Sequence, residues 1–275
     1  MTIIDTHHHF WKYSPEEYGW ISDAMSALRR DFLPADLKIE LDRAQVVGAI
    51  SVQARQSLAE TDWLLDMADA HEFLLGVVGW APLVDPGVEP HLEQYAARPK
   101  CKGFRHVAQD EPDDFLLGPD FNRGVALLKK YKLRYDILIF ERQLPAAIAL
   151  VDKHPAQEFI LDHIAKPRIK DGALEPWASN TRELARRENV TCKISGMITE
   201  ADWRTWNPQV LQPYLDTVLE AFGPRRLMFG TDWPVMLVAG GYGKWVKLVR
   251  SFVSQLSEAE QTAILSGTAR RVYGL

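Results

Sequence analysis

Ile3-Ile4-Asp5-Thr6-His7-His8-His9-Phe10-Trp11 begins as a β-branched apolar run and ends in three imidazoles and two large aromatics. A run this short and this rich in β-branched residues suits a strand buried on both faces. Seven more runs of the same kind follow it along the chain: 46–53 (VVGAISVQ), 74–80 (LLGVVGW), 101–106 (CKGFRH), 133–139 (LRYDILI), 159–163 (FILDH), 190–195 (VTCKIS) and 227–232 (LMFGTD). Longer amphipathic segments lie between them. In 60–71 (ETDWLLDMADAH), Trp63, Leu64, Met67, Ala68 and His71 recur at intervals of three and four, one apolar stripe of a helix. Segments 121–131, 144–151, 174–187, 211–222 and 242–256 read the same way, and Pro119 and Pro208 stand where helices would start. Strand and helix in alternation imply parallel pairing through right-handed crossovers. Eight such units use up the 275 residues, which predicts an α/β fold, a (β/α)8 TIM barrel, as a single domain over 1–275. An open doubly wound sheet is the alternative, but no G-x-G-x-x-G follows the first strand.

Composition closes off other classes. Hydrophobic residues make up 47% of the chain and charged residues 25%, a globular balance that argues against disorder. With 32 Lys+Arg against 37 Asp+Glu the net charge is −5, which gives no attraction to nucleic acid or to an anionic membrane. Two cysteines, Cys101 and Cys192, cannot build a disulfide framework. No basic stretch leads into a long apolar run at the N-terminus, and nothing approaches the roughly 18 apolar residues of a membrane helix. The expectation is a cytoplasmic protein acting on a small molecule, with no nucleic-acid or membrane partner. Nothing in the pattern specifies an oligomeric state.

The first strand also carries the chemistry. Strand alternation puts Asp5, His7 and His9 on one face and Thr6 and His8 on the other. His7 and His9 then project together into the barrel mouth, two imidazoles suited to one metal ion or one substrate oxygen. The eighth strand ends in Gly230-Thr231-Asp232-Trp233-Pro234. Strands one and eight adjoin in a closed barrel, so Asp232 can lie beside the histidine pair. There it could ligate a metal, take a proton from water, or do both in turn, unless it only caps the turn before Pro234.

Other strand ends supply further candidates. His163 closes strand six as a hydrogen-bond donor to a carbonyl oxygen or as another ligand, whereas its neighbour Asp162 is expected to point away from the lumen. Of Arg105 and His106 at the end of strand four, alternation lets only one face inward. An arginine there would bind a carboxylate or polarise a carbonyl. Gln53 on strand two could bond a polyol hydroxyl. Trp11, Trp20, Trp80, Trp206 and Trp233 fall at strand ends or in loops, where an indole either stacks on a sugar-like ligand or packs a loop onto the barrel. The loop 11–36 is rich in aromatics and lies where active-site walls are built, and the glycine-containing loop 234–242 reads as a lid or a plain connection. His71, His91 and His154 fall on helices or helix ends as packing or surface residues.

These motifs resemble the amidohydrolase superfamily, in its amidohydrolase-2 branch: His7-x-His9 on strand one, a strand-six histidine, and Gly-Thr-Asp232-x-Pro on strand eight. The fuller set, DTHHHFW, VQA, GFRH, LDHIAKP, KISG and GTDWP, is similar to the sugar-lactonase group of that branch, which opens L-fucono-, L-rhamnono- and L-galactonolactones. The resemblance spans the chain from Ile3 to Tyr273. It implies His7, His9 and Asp232 as metal ligands, with Asp232 as the carboxylate that activates water. It also implies His163 as the strand-six histidine and places Arg105 in a motif expected near the substrate, both read as catalytic; Gln53, His106, Trp11 and Trp233 are substrate-binding candidates by their own placement at strand ends and loops. No lysine that could bridge two metals stands on strand four or five, so the resemblance implies at most one divalent ion, zinc by ligand type, which some lactonase relatives dispense with.

The implied reaction is hydrolysis of a small aldonolactone to its sugar acid. A metal-dependent decarboxylase of the same branch, a muconolactone or pyrone lactonase of aromatic catabolism, and a catalytically silent sugar-binding barrel are the alternatives.

Overall fold

Each of the eight apolar runs forms a strand in a computed structural model that describes residues 1–275. They are β1 (Ile4–His8), β2 (Gly48–Val52), β3 (Leu74–Gly79), β4 (Cys101–His106), β5 (Arg134–Ile137), β6 (Phe159–Leu161), β7 (Val190–Ile194) and β8 (Leu227–Phe229). Every strand pairs in parallel with its sequence neighbour, in the order β1 to β8. The ring closes just past the strand ends, where His8 bridges Trp233, the His9 amide donates to the Trp233 carbonyl (2.7 Å) and the Asp232 amide donates to the His7 carbonyl (2.8 Å). The fold is thus the (β/α)8 barrel that the alternation of runs implies.

Eight helices follow the strands: α1 (Pro34–Ala44), α2 (Leu58–Ala70), α3 (Glu89–Ala96), α4 (Pro119–Leu128), α5 (Leu144–Lys153), α6 (Trp177–Ala185), α7 (Pro208–Phe222) and α8 (Tyr242–Val253). The stripe read in 60–71 starts earlier, because the Ser57 side chain accepts from the Glu60 amide and caps α2. Pro119 and Pro208 are the first residues of α4 and α7. No helix is long and apolar enough to cross a membrane.

Burial divides the apolar residues into two sets. A large cluster fills the layer between strands and helices. A small one, Ile50, Val52, Val78, Ile160 and Met228, fills the lumen, and Val272 and Tyr273 from the C-terminal helical segment join it. The lumen is a packed core with its polar groups gathered at the other end.

Two departures from regular geometry reposition chemistry. A register shift between Asp5 and His8 breaks the alternation of β1. Asp5 therefore does not share a face with His7 and His9. Its carboxylate accepts from the Thr231 amide (2.9 Å), the Thr231 hydroxyl (2.6 Å) and the Tyr242 hydroxyl (3.0 Å), stapling β1 to the end of β8 and to α8. After β6, His163, Ile164, Ala165 and Lys166 all have left-handed backbone, with φ of 52°, 50°, 62° and 47°. Four such non-glycine residues in a row are costly. The turn is held by the Trp177 indole, which donates to the Ile164 carbonyl at 2.6 Å, and by the Lys166 amide on the His163 carbonyl at 2.9 Å.

The aromatic loop 11–36 is tied down rather than free. Trp11 and Phe32 exchange two backbone bonds (3.1 and 2.9 Å), and the Trp11 indole donates to the Arg30 carbonyl at 2.9 Å. The loop 234–242 contains a short 3₁₀ turn (Val235–Val238) and is pinned where the Trp206 indole donates to the Ala239 carbonyl at 2.7 Å.

Candidate active site

His7 and His9 follow the register shift and converge in the barrel mouth, with their Nε2 atoms 3.3 Å apart. His9 Nδ1 lies 2.9 Å from the Val52 carbonyl oxygen, which can only accept, so Nδ1 carries a proton and Nε2 is the nitrogen turned into the cavity. Asp232, itself held at φ 63°, places Oδ1 3.3 Å from His9 Nε2 and 3.8 Å from the Nε2 atoms of both His7 and His163. The His163 ring is oriented from behind by Ser195, whose hydroxyl is 2.9 Å from Nδ1. Ser195 and the next residue make that placement possible. Gly196 has φ +64°, and a Cβ there would stand 2.5 Å from His163 Nδ1.

Arg105 is the inward-facing member of its pair. Its Nε donates to Gln53 Oε1 (2.8 Å), its Nη1 to Asp162 Oδ2 (3.1 Å), and Nη1 also lies 3.3 Å from His7 Nε2. Asp162, expected to face away, instead points into the lumen, because the left-handed turn brings both it and His163 to the inside. Its Oδ1 is 3.4 Å from His7 Nδ1.

Beneath these residues is a charged layer that reading the sequence missed. Lys193 of β7 is wholly buried, its ammonium contacting Asp136 of β5, lying 3.0 Å from Asp162 and 3.3 Å from His7 Nδ1. The Tyr273 hydroxyl donates to Asp136 from below at 3.4 Å. Strand parity was the available signal, since Lys193 stands between the outward residues Cys192 and Ile194.

Burial and charge set the protonation states. Burial pushes Asp136 up to about 6 despite Lys193. It also pushes against Asp162, but Lys193, His7 and Arg105 overcome it and hold that carboxyl well below the usual range. Burial drives His7 well below the ordinary imidazole value, Asp162 offsetting only part of the drop, and takes His163 down to about 4 against the pull of Asp232. For Asp232 burial is again the largest influence and raises the pKa, but His163 and His9 outweigh it and hold the carboxyl below its usual value. Near neutrality the mouth therefore holds an ionised Asp232 beside the neutral imidazoles of His7 and His163.

The other candidate residues do not reach the cavity. His106 faces outward, accepting from the Trp80 indole at 3.3 Å, with Nε2 2.9 Å from Glu111 and its ring stacked on Phe115. Gln53 is spent on holding Arg105. Trp11 and Trp233 are buried against Phe32, with ring centroids 5.3 and 5.2 Å from it, and support the aromatic loop from beneath. The indoles that do line the cavity of about 610 Å³ are Trp20 and Trp203, with Arg55, Glu17, Lys166 and Glu200 among the polar walls.

Two sets of side chains could hold a cation: His7, His9 and Asp232, and His7, Asp162 and His163. The first set fits a divalent ion by its donor chemistry. His9 Nε2 faces His7 Nε2 and a carboxylate oxygen, with the opposite nitrogen of His9 held by a backbone carbonyl, the arrangement typical of zinc-binding histidine.

Fold and site together define a hydrolase built on a (β/α)8 barrel. The chain belongs to the amidohydrolase family, whose model matches residues 4–275. Among curated relatives, an L-fucono-1,5-lactonase of Burkholderia multivorans is 44% identical over 99% of this chain and 96% of its own length. An L-fucono-1,5-lactonase of Burkholderia ambifaria is 36% identical over 88% and 85%. A solved amidohydrolase from Burkholderia multivorans with bound zinc superposes over 100% of both chains with a TM-score of 0.94 at 42% identity. By contrast, a 5-carboxyvanillate decarboxylase of Sphingomonas paucimobilis is 15% identical with a TM-score of 0.69 over 100% of this chain and 99% of its own, a likeness of fold alone.

Proposed function

We propose that this enzyme hydrolyses a small sugar lactone, a six-membered aldonolactone of the L-fucono-1,5-lactone type, to the open-chain sugar acid. The observation that carries this reading is the Asp232 carboxylate, held below its usual pKa, facing His7, His9 and His163 with Arg105 behind them. Asp232 accepts a proton from water as the water oxygen bonds to the lactone carbonyl carbon. Arg105 and His163 stabilise the oxyanion. We assign the Ser195 hydroxyl as donor to Nδ1, which puts the His163 proton on Nε2, where it donates into the cavity. The C–O bond to the ring oxygen then breaks, and that oxygen takes the proton back from Asp232.

Zinc is the ion we assign to His7, His9 and Asp232. When bound, it supplies Lewis-acid polarisation of the carbonyl and acidifies water. Arg105 Nη1 can serve the same His7 lone pair, so chemistry on an activated ester can proceed without the ion. The charge inventory of the walls favours a polyol over a dicarboxylate. Arg55 is paired with Glu17, Lys166 with Glu200 and Arg105 with Asp162, which leaves no spare cation pair for a pyrone dicarboxylate.

The test is a pH-indicator screen of aldonolactones with and without chelator, run beside a CO2 assay on aromatic acids. Acid release from 1,5-lactones is expected. CO2 release with no lactone opening would refute the reading.

A further inference from the structure

The two sides of the cavity carry ion pairs that differ in how far their hydrogen-bonding capacity is used. On one side the Arg55 guanidinium is in direct contact with Glu17 and lies 5.7 Å over the Tyr18 ring. On the other, Lys166 and Glu200 come from the loops after β6 and β7. Lys166 Nζ is 3.9 Å from Glu200 Oε1, close enough for charge attraction and too far for a hydrogen bond. Their side chains are 17% and 22% exposed; neither makes a hydrogen bond to another group of the protein, and the Lys166 ammonium lies 5.5 Å over the Phe140 ring.

Both side chains leave a fixed backbone. Lys166 ends the left-handed turn clamped by Trp177. The Glu200 carbonyl accepts from the Lys170 amide at 2.9 Å, and the Glu200 amide donates to the Met197 carbonyl at 3.2 Å. Beside them the Trp203 indole donates to the Thr199 carbonyl at 2.8 Å, fixing its ring in the cavity wall. The ammonium and the carboxylate therefore line the cavity with hydrogen-bonding capacity that the protein itself does not use. A vicinal diol matches it, with an oxygen to accept from the ammonium and a neighbouring O–H to donate to the carboxylate.

We propose that Lys166 and Glu200 are the specificity-determining pair for the ring hydroxyls of the substrate, gripping two adjacent hydroxyls while Trp203 lies against the ring. This inference rests on the lactonase reading and names the contacts that make the site select polyhydroxylated lactones.

The experiment is a cycle between protein and ligand, read as affinity so that turnover is not required. The sugar δ-lactam keeps the hydroxyls and resists hydrolysis; it and its monodeoxy derivatives are titrated calorimetrically into wild type, Lys166→Met and Glu200→Gln. Each substitution should weaken the fully hydroxylated lactam by about tenfold or more, the size of a hydrogen bond to a charged group. Against the derivative lacking the matching hydroxyl, the same substitution should cost less than about twofold. A uniform loss across all lactams marks a structural pair and overturns the proposal, as does no loss at all. Wild type that binds the lactam but opens no lactone defeats the lactonase reading and leaves the pair standing. Wild type that binds no lactam defeats the pair.

Discussion

Lys193 and Asp162 form an ion pair inside the barrel, 3.0 Å from ammonium to carboxylate, both side chains shut away from solvent. The ammonium also contacts Asp136, and burial, which alone would lower its pKa, is overcome by the two carboxylates, so it stays charged. Removing one member of such a cluster strands the others. Lys193→Met should cost about 3–5 kcal/mol in denaturant unfolding. Adding Asp136→Asn removes one stranded carboxylate and should restore part of that loss. A single variant as stable as wild type would show that the layer is not a charge cluster.

Asp232→Asn keeps the size and loses the base. Turnover of the lactone should fall by about 100- to 10,000-fold, with the unfolding transition still cooperative. Near wild-type turnover in this variant would assign proton transfer elsewhere.

Gly196 sits at φ +64° with no room for a methyl group, since a Cβ would meet the His163 ring at 2.5 Å. Gly196→Ala pays twice, through left-handed strain of about 1–2 kcal/mol and through displacement of the imidazole. Misplacing a catalytic group by about 1 Å can cost on the order of 100-fold. kcat should therefore fall much further than stability does, and a variant that loses stability alone would show that His163 is not held by this contact.

Much of this arrangement was legible in the sequence, and the parts that were not share a cause. Eight short β-branched runs separated by amphipathic segments announce the barrel, because each strand is buried on both faces. His7, His9 and Asp232 could be brought together from the adjacency of the first and last strands. Alternation failed at Asp5 and Asp162. A register shift inside β1 and a left-handed turn after β6 redirect those side chains, and neither has a glycine to announce it. Lys193 was invisible for a different reason. A lysine is tolerated in the lumen only because Asp136 and Asp162, from two other strands, arrive beside it. Trp11 and Trp233 could be read as stacking faces or as packing, and only the positions of Phe32 and Arg30 decide for packing.

Glu60 gives the fold a separable pH dependence. Its Oε2 accepts from the amides of Ala54 (3.0 Å) and Arg55 (2.8 Å), and burial raises its pKa to about 7 despite those bonds. The unfolded chain releases this proton from the ordinary value of 4.5, so between 4.5 and about 7 the native state holds a proton that the unfolded state has lost. Stability therefore declines as pH rises through that window, by at most about 1.4 kcal/mol per pH unit. Glu60→Gln keeps an acceptor for both amides and has no proton to lose. The difference in unfolding free energy between variant and wild type should grow from pH 4.5 to 7 and level off above. A difference that is flat with pH would mean that Glu60 titrates alike in both states.

The two candidate cation sets share His7, and Lys193 separates them. Its ammonium lies 3.0 Å from Asp162 Oδ1 and 3.3 Å from His7 Nδ1, so a positive charge already stands on two of the three donors of the set that includes His163. A divalent ion there would face like-charge repulsion at contact distance. The set with His9 and Asp232 has a positive neighbour at one donor only, where Arg105 Nη1 lies 3.3 Å from His7 Nε2. Zinc should therefore titrate to one equivalent per chain, read by atomic absorption after dialysis. His9→Ala should abolish that equivalent, and His163→Ala should leave it in place. Thermal unfolding should follow the same rule: zinc at about 100-fold above its Kd stabilises by about 2.7 kcal/mol in wild type and His163→Ala, and has no effect in His9→Ala. Two equivalents in the wild type, or loss of zinc in His163→Ala, would place the ion over the His163 set and deny Lys193 its separating role.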